Sequence, residues 1–340
     1  MQVELLEQGL IYPIELAETP ACHASTIVKM SDGRFAAAWF GGSNESNPDV
    51  CIWFSIKNPS GWSEPCCITP DNNIAHWNPV LYQDNHNGLL RLFYKEGRSP
   101  RCWYTMTTTS SDCGATWSEP TALVDGDSAP RGPVKNKMIT LSDGSWLAPS
   151  SEEDDLSRWM LFLDRSEDHG STWVRSDYVP LHLDGMDHAA HAISELPAKA
   201  GGLIQPTLWE EQNHPGHVHL LARSSFGKIY RADSTDFGKT WGCAYPTDLP
   251  NNNSGLDVVQ TADGILPLIY NPVASNWGER TPISVIFSED QGATWGNRID
   301  LETNPGEYSY PAIIADGDCL YITYTHQRQS IAYATLRLHR

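Results

Sequence analysis

The chain has 340 residues, with 23 Lys plus Arg against 42 Asp plus Glu, so its formal net charge at pH 7 is −19. That excess repels a nucleic-acid backbone or an anionic membrane surface, which removes both from the expected partners and makes any local cluster of cations conspicuous. Thirteen Trp, 26 Gly and 23 Pro, without a long run of helical apolar spacing or a stretch near the roughly 18 apolar residues of a membrane span, read as an all-β chain with many turns and no membrane insertion.

The N-terminus, Met1-Gln-Val-Glu-Leu5, lacks the basic segment and apolar core of a secretory leader, so a cytoplasmic location is expected. Eight cysteines, two of them adjacent at Cys66 and Cys67, do not resemble a disulfide framework in a chain this long and are expected mostly as buried thiols. No Cys-x-x-Cys pair exists, and the His-bearing stretches Asp187–His191 and His214–His219 have no second ligand cluster, so neither a metal nor a cofactor is expected.

In chain order, a strand over Glu4–Ile14 comes first, and then a turn glycine followed by an apolar or alternating run recurs six times. The pairs are Gly33 with Arg34–Phe40, Gly88 with Leu89–Lys95, Gly144 with Ser145–Ser151, Gly216 with His217–Arg223, Gly264 with Ile265–Asn271, and Gly317 with Asp318–Tyr324. Each run has strand length and strand-forming composition, so six hairpins are predicted. Between them lies an eight-residue phrase, Ser-x-Asp-x-Gly-x-Thr-Trp, at Ser110–Trp117, Ser166–Trp173, Ser234–Trp241 and Ser288–Trp295. Its serines are 166 − 110 = 56, 234 − 166 = 68 and 288 − 234 = 54 residues apart, and one further step back reaches Ser55–Trp62, followed by Ser63-Glu64-Pro65 as Trp117 is followed by Ser118-Glu119-Pro120.

Asp and Gly set a tight turn, the hydroxyls bond back to its amides, and the Trp packs beneath, so the phrase is a fold device and Asp112, Asp168, Asp236 and Asp290 are not read as catalytic acids. Six hairpins with five boxes imply six four-stranded antiparallel blades in one domain over residues 1–340, a six-bladed β-propeller closed by the N- and C-terminal strands.

Equal offsets from the turn glycines predict equal heights on the blades. Seven residues after each glycine stand Phe40, Lys95, Ser151, Arg223, Asn271 and Tyr324. On the strands leading in stand His23, Asn78, Lys135, Gln205, Ser254 and Tyr308. Lys95, Lys135 and Arg223 would meet if both rings share one end of a channel, joined by Lys137, Arg280 and Arg328, and an anionic ligand would relieve their repulsion. The alternative is internal pairing with Asp49, Glu152, Asp257 and Glu307.

On its four boxes the chain resembles the sialidase (neuraminidase) superfamily, a resemblance covering nearly its whole length. It implies a glycosidase that holds a sugar carboxylate with three arginines, attacks with a tyrosine activated by a glutamate, and uses an aspartate as acid and base. Arg223 looks like the second arginine, Arg280 like the third, and Glu307-Tyr308-Ser309-Tyr310-Pro311 resembles the nucleophile segment, with Tyr308 the closer match and Tyr310 the reserve. Asp49 sits where the acid/base belongs, with Glu45 as substitute. Two positions depart: His23 stands in place of the first arginine, and Gln205 in place of the glutamate, where a neutral amide cannot take the tyrosine's proton.

The phrases His76–Leu81, Gly132–Lys137, Leu249–Asp257, Glu307–Pro311 and Tyr324–Arg328 are similar to a divergent sialidase-like branch of BNR-repeat proteins. The implied partner is therefore an acidic carbohydrate or glycoconjugate such as a sialoside, with Arg223, Arg280 and Lys135 on the carboxylate. Elimination on a uronic-acid glycan, with His23 or His76 and a tyrosine as acid and base, is a second reading. A third is a non-catalytic glycan-binding propeller, in which Trp39, Phe40, Trp77, Tyr270 and Tyr310 stack on sugar faces.

Overall fold

The computed structural model describes residues 1–339, which are strands and turns apart from two short 3₁₀ turns, Ile14–Leu16 and Ile193–Glu195. All six predicted hairpin strands are present within two residues of their expected bounds, as Phe35–Gly42, Leu90–Glu96, Trp146–Glu153, Val218–Ser224, Leu266–Tyr270 and Cys319–His326. Each is preceded by its glycine in the left-handed region, from φ +59° at Gly317 to +86° at Gly33 and Gly144, where a side chain would be strained.

The chain packs as two compact units, one formed by Met1–Pro130 with the chain from Glu307 onward, the other by Arg131–Gly306. The first unit holds three antiparallel sheets. One runs Ala21–Lys29, Phe35–Gly42, Cys51–Asn58, with Gly61–Trp62 and Cys66–Cys67 both pairing the third strand. The next runs His76–Gln83, Leu90–Glu96, Tyr104–Ser110, Thr121–Ala122. In the last, Tyr308–Asp316, Cys319–His326 and Ser330–His339 are completed by the N-terminal strand Gln2–Leu10, which pairs antiparallel with Ser330–His339 from Gln2↔His339 to Leu10↔Ala332.

The second unit has an eight-stranded sheet made of two four-stranded antiparallel groups joined only by a two-residue parallel pairing, Arg158↔Gly201 and Trp159↔Gly202. Its other sheet runs Asp257–Val258, Leu266–Tyr270, Ile283–Ser288, Gly296–Glu302. A core of Leu147, Leu161, Leu163, Leu203, Leu208, Val218 and Leu220, all within 2% of full burial, lies between the two groups of the larger sheet.

Every box begins at the last residue of a third strand and has one bonding scheme. The Ser Oγ donates to its Asp Oδ1 at 2.8 to 2.9 Å, the Gly amide donates to the Ser Oγ, and the Thr amide and hydroxyl donate to the two Asp oxygens, the latter at 2.6 Å in all four. The box carboxylates are thereby consumed by their own turns. The fifth copy differs in register from its expected alignment. Ser55 Oγ donates to Ser63 O at 2.7 Å as Thr108 Oγ1 donates to Ser118 O at 2.6 Å, so Ser55 matches Thr108 rather than Ser110, and a shorter turn at Asn58–Gly61 replaces the box.

Only Cys22 and Cys319 are buried, and all eight cysteines are free, which corrects the expectation of mostly buried thiols. Among the described residues, no helix is long and apolar enough to cross a membrane, and no group of three or more His, Cys, Asp or Glu is arranged to hold a metal ion.

Candidate functional site

In four sheets the first strand carries a bulge at the same register. Pairing jumps between His23↔Phe40 and Thr26↔Ala38, between Trp77↔Lys95 and Val80↔Phe93, between Ile204↔Arg223 and Thr207↔Leu221, and between Ser309↔Thr325 and Ala312↔Thr323. The first extra residue is left-handed in each: Ala24 at φ 58°, Asn78 at 41°, Gln205 at 53° and Tyr310 at 50°. Such a bulge re-aims the side chains beside it. Two bulge amides are satisfied by hydroxyls outside their own hairpin, Ala24 N donating to Thr325 Oγ1 of a neighbouring sheet at 3.2 Å and Gln205 N to Ser151 Oγ of the other four-stranded group at 3.2 Å.

This register corrects the equal-offset rings. Asn78 and Gln205 lie in the bulge, whereas His23 and Tyr308 pair ahead of it, and Ala24 and Tyr310 take the equivalent places. Thr325 rather than Tyr324 matches Phe40, Lys95 and Arg223. The cause is turn length: the hairpins close at Lys29↔Phe35, Gln83↔Leu90, Glu210↔Val218 and Asp316↔Cys319, so a fixed count from the glycine does not give a fixed height.

In the first unit, the His23 ring packs on Tyr310 with centroids 4.1 Å apart and edge-on to Phe40, while its Nδ1 shares a proton with Thr325 Oγ1 at 2.9 Å. Tyr308 is 3% exposed, lies against the His326 ring, and its hydroxyl accepts from Gln327 Nε2 at 3.1 Å. Arg328 bridges two carboxylates, its Nε donating to Glu307 Oε1 at 2.7 Å and its Nη1 to Glu45. Burial pulls that guanidinium's pKa down, but the two carboxylates prevail and raise it. Asp49 is exposed, and its two oxygens accept from Ser43 N at 2.8 Å and Ser43 Oγ at 2.9 Å, closing the loop after the first hairpin. Lys95 is fully buried and donates to Thr105 Oγ1 at 2.5 Å. His76, held below its ordinary pKa by burial, is bonded through Nδ1 to Thr69 Oγ1 at 2.9 Å and through Nε2 to Asn72 Oδ1 at 3.2 Å, with Glu96 at 3.7 Å.

The second unit gathers the cations. Lys137 Nζ donates to both oxygens of Asp257, at 2.9 and 2.8 Å, and to Val258 O at 2.7 Å. Lys135, 3% exposed, donates to Asn136 Oδ1 at 2.8 Å. Desolvation brings its pKa down to about 7; Asp257 opposes that shift, while Lys137 and Arg223 add to it. Arg223, also 3% exposed, donates through Nε to Asn253 Oδ1 at 2.7 Å and through Nη1 to Gln205 Oε1 at 3.1 Å, with the Trp277 ring 5.6 Å from its guanidinium carbon. The Gln205 amide therefore presents its carbonyl to a cation. Asn271 donates to Pro282 O at 2.9 Å, and Arg280 lies half-buried on the same connection as Trp277. Glu152 instead accepts from Tyr178 at 2.6 Å and Arg175 at 3.0 Å.

Internal pairing thus holds for Lys137 with Asp257 and for Arg328 with Glu307, while Arg223 is met by amide oxygens. The orienting residues Asn136, Asn253, Thr325 and Gln327 were not among the expected site positions. Asn253 had a visible signal in the run Asn251-Asn252-Asn253.

Several solved structures share the fold. A Hadza microbial sialidase superposes with TM-score 0.75 at 18% identity, over 94% of this chain and 66% of its own length. A protein of unknown function from Dyadobacter fermentans gives 0.76 at 17% identity and covers 99% of both chains. The NanB sialidase of Streptococcus pneumoniae gives 0.71 at 13% identity, over 95% of this chain and 69% of its own. No curated protein sequence matches the chain. The BNR repeat-like domain matches residues 33–322, and the chain, with its four identically bonded boxes, belongs to the BNR repeat-like family.

Proposed function

We propose that the protein is a glycosidase acting on a terminal acidic sugar, such as sialic acid, and that its sheets form one closed six-bladed propeller completed by the Gln2–Leu10 and Ser330–His339 pair. The carrying observation is the buried cation cluster of the second unit, with Lys135 and Arg223 each 3% exposed and Lys137 held on Asp257, in which desolvation first, and then repulsion from Lys137 and Arg223, disfavours the charge on Lys135 against the pull of Asp257. A substrate carboxylate relieves that repulsion and receives charge-assisted bonds from Arg223, Lys135 and Arg280. Tyr308 gives its phenol proton to water and bonds to the anomeric carbon as the glycosidic bond breaks, Asp49 or Glu45 protonates the departing oxygen, and a water then displaces the phenolate, passing its proton to that carboxylate.

The test is a panel of sialosides, other nonulosonates, uronides and neutral glycosides, with Arg223→Met and Tyr308→Phe variants. The expected outcome is release of an acidic sugar by the wild type, a fall of at least about 100-fold in kcat/KM in Arg223→Met, equivalent to about 2.7 kcal/mol, and no turnover of neutral glycosides. Equal turnover of neutral and acidic glycosides would refute it.

The His23–Tyr310 contact, together with the neutral Gln205, supports a second reading, β-elimination on a uronide with this pair moving the proton. An unsaturated product lost in His23→Gln would select it. Binding without turnover, unchanged in Asp49→Asn and Tyr308→Phe, would select a glycan-binding role.

A further inference from the structure

In the first unit, two thiols that take no part in the chemistry assigned above face one another. Pairing of Trp53 with Cys67 and of Phe54 with Cys66, together with strand alternation, puts Cys51, Trp53 and Cys67 on one face and Cys66 on the other. The Cys51 and Cys67 sulfurs stand 2.8 Å apart, while Cys66 Sγ is directed to Phe54 O at 3.6 Å. Cys67 is exposed and Cys51 partly so, which leaves the pair open to small reagents. Cys67 Sγ also contacts Thr69 O at 3.3 Å, and Thr69 Oγ1 accepts from Ile52 N at 2.9 Å and meets His76 Nδ1 at 2.9 Å.

We propose that Cys51 and Cys67 form a reversible disulfide by exchange with a low-molecular-weight disulfide such as oxidised glutathione, and that the change is felt at His76 through Thr69. The hydrogen bond from Cys51 lowers the Cys67 thiol to about 7, whereas the contact with Cys67, burial and the Asp49 and Asp71 carboxylates push Cys51 up. Cys67 is therefore the attacking thiolate and Cys51 the resolving thiol. The Cys67 thiolate bonds to one sulfur of the small disulfide and expels the first small thiolate. Cys51 gives up its proton, attacks the Cys67 sulfur and expels the second. Two protein thiols are oxidised and one small disulfide is reduced to two thiols. Oxidation draws the Cys67 sulfur into a bond with Cys51 and so alters its 3.3 Å contact with Thr69 O, the link in the chain to His76.

The full-length protein is incubated with excess oxidised glutathione, and its free thiols are counted by mass spectrometry before and after dithiothreitol. The expected result is a fall from the 8 thiols of the sequence to six, with a Cys51–Cys67 linked peptide that dithiothreitol opens. Cys51→Ser traps one glutathione on Cys67, Cys67→Ser forms no link, and Cys66→Ser behaves as the wild type. Retention of all thiols, a link to Cys66, or a lasting glutathione adduct on Cys67 in the wild type would overturn the disulfide. His76 ring resonances should move on oxidation of the wild type and not in Cys67→Ser; unmoved wild-type resonances would overturn the coupling.

Discussion

Replacing Lys135 by Met isolates the cost of holding a lysine in the second unit's cation cluster. The ordinary value of 10.5 falls to about 7 in the folded protein, chiefly through desolvation. Each pKa unit is about 1.4 kcal/mol, so a charged Lys135 costs the fold on the order of 5 kcal/mol relative to a neutral one. The lowered pKa sets the sign. Below pH 7 the lysine is protonated in both folded and unfolded chains, and the penalty is fully present. Between pH 7 and the unfolded value the unfolded chain binds one more proton, so stability rises with pH. Other groups titrate here too, so the informative quantity is wild type minus Lys135→Met, measured by urea unfolding at pH 6, 7, 8 and 9. That difference should be nearly flat below about pH 6 and rise by about 2.3 kcal/mol between pH 7 and 9. The lost bond to Asn136 Oδ1 adds a constant offset and no slope. A difference independent of pH across this range would refute the desolvated lysine. A bound acidic sugar should raise the Lys135 pKa, so binding near pH 8 should take up a proton, visible as a buffer-dependent heat in calorimetry.

Three further substitutions test the scaffold. Asp164→Ala should destabilise by about 3–5 kcal/mol in urea unfolding, because it strands the buried Arg131, which donates to Asp164 through Nε at 3.0 Å and Nη2 at 2.7 Å. Asp236→Ala removes three short bonds within its turn and should cost about 1–3 kcal/mol while leaving any glycan turnover unchanged, measured by thermal unfolding and the same panel. Gly170→Ala should lower the melting temperature more than Gly126→Ala, since both are left-handed but a Cβ at Gly170 would lie 2.6 Å from the Trp146 ring while one at Gly126 meets nothing within 4 Å.

Strands and boxes were legible because they repeat: a glycine forced left-handed and a carboxylate bonded to its own turn leave the same residue types each time. The second strands are found within two residues on that basis. Register across the sheets was not legible, since turn length varies and a bulge such as that at Ala24-Ser25 has no fixed residue type, so His23 and Tyr308 were placed level with Asn78 and Gln205. Arg223 and Lys135 could be picked out as cations on an acidic chain, but their amide partners Asn253 and Asn136 depend on loop conformation. The Ser55 copy misled for a related reason: its Trp-Ser-Glu-Pro end is preserved while the turn before it is shortened.

The recurrent bulge has an evolutionary consequence. Its left-handed backbone is occupied by Ala24, Asn78, Gln205 and Tyr310, which carry a methyl group, two carboxamides and a phenol. Such a position works as a socket: the main chain fixes where the side chain stands, and its identity can change without redrawing the sheet around it. A lineage carrying this socket can exchange the groups it presents one blade at a time, so a change of substrate or reaction is accessible by single substitutions.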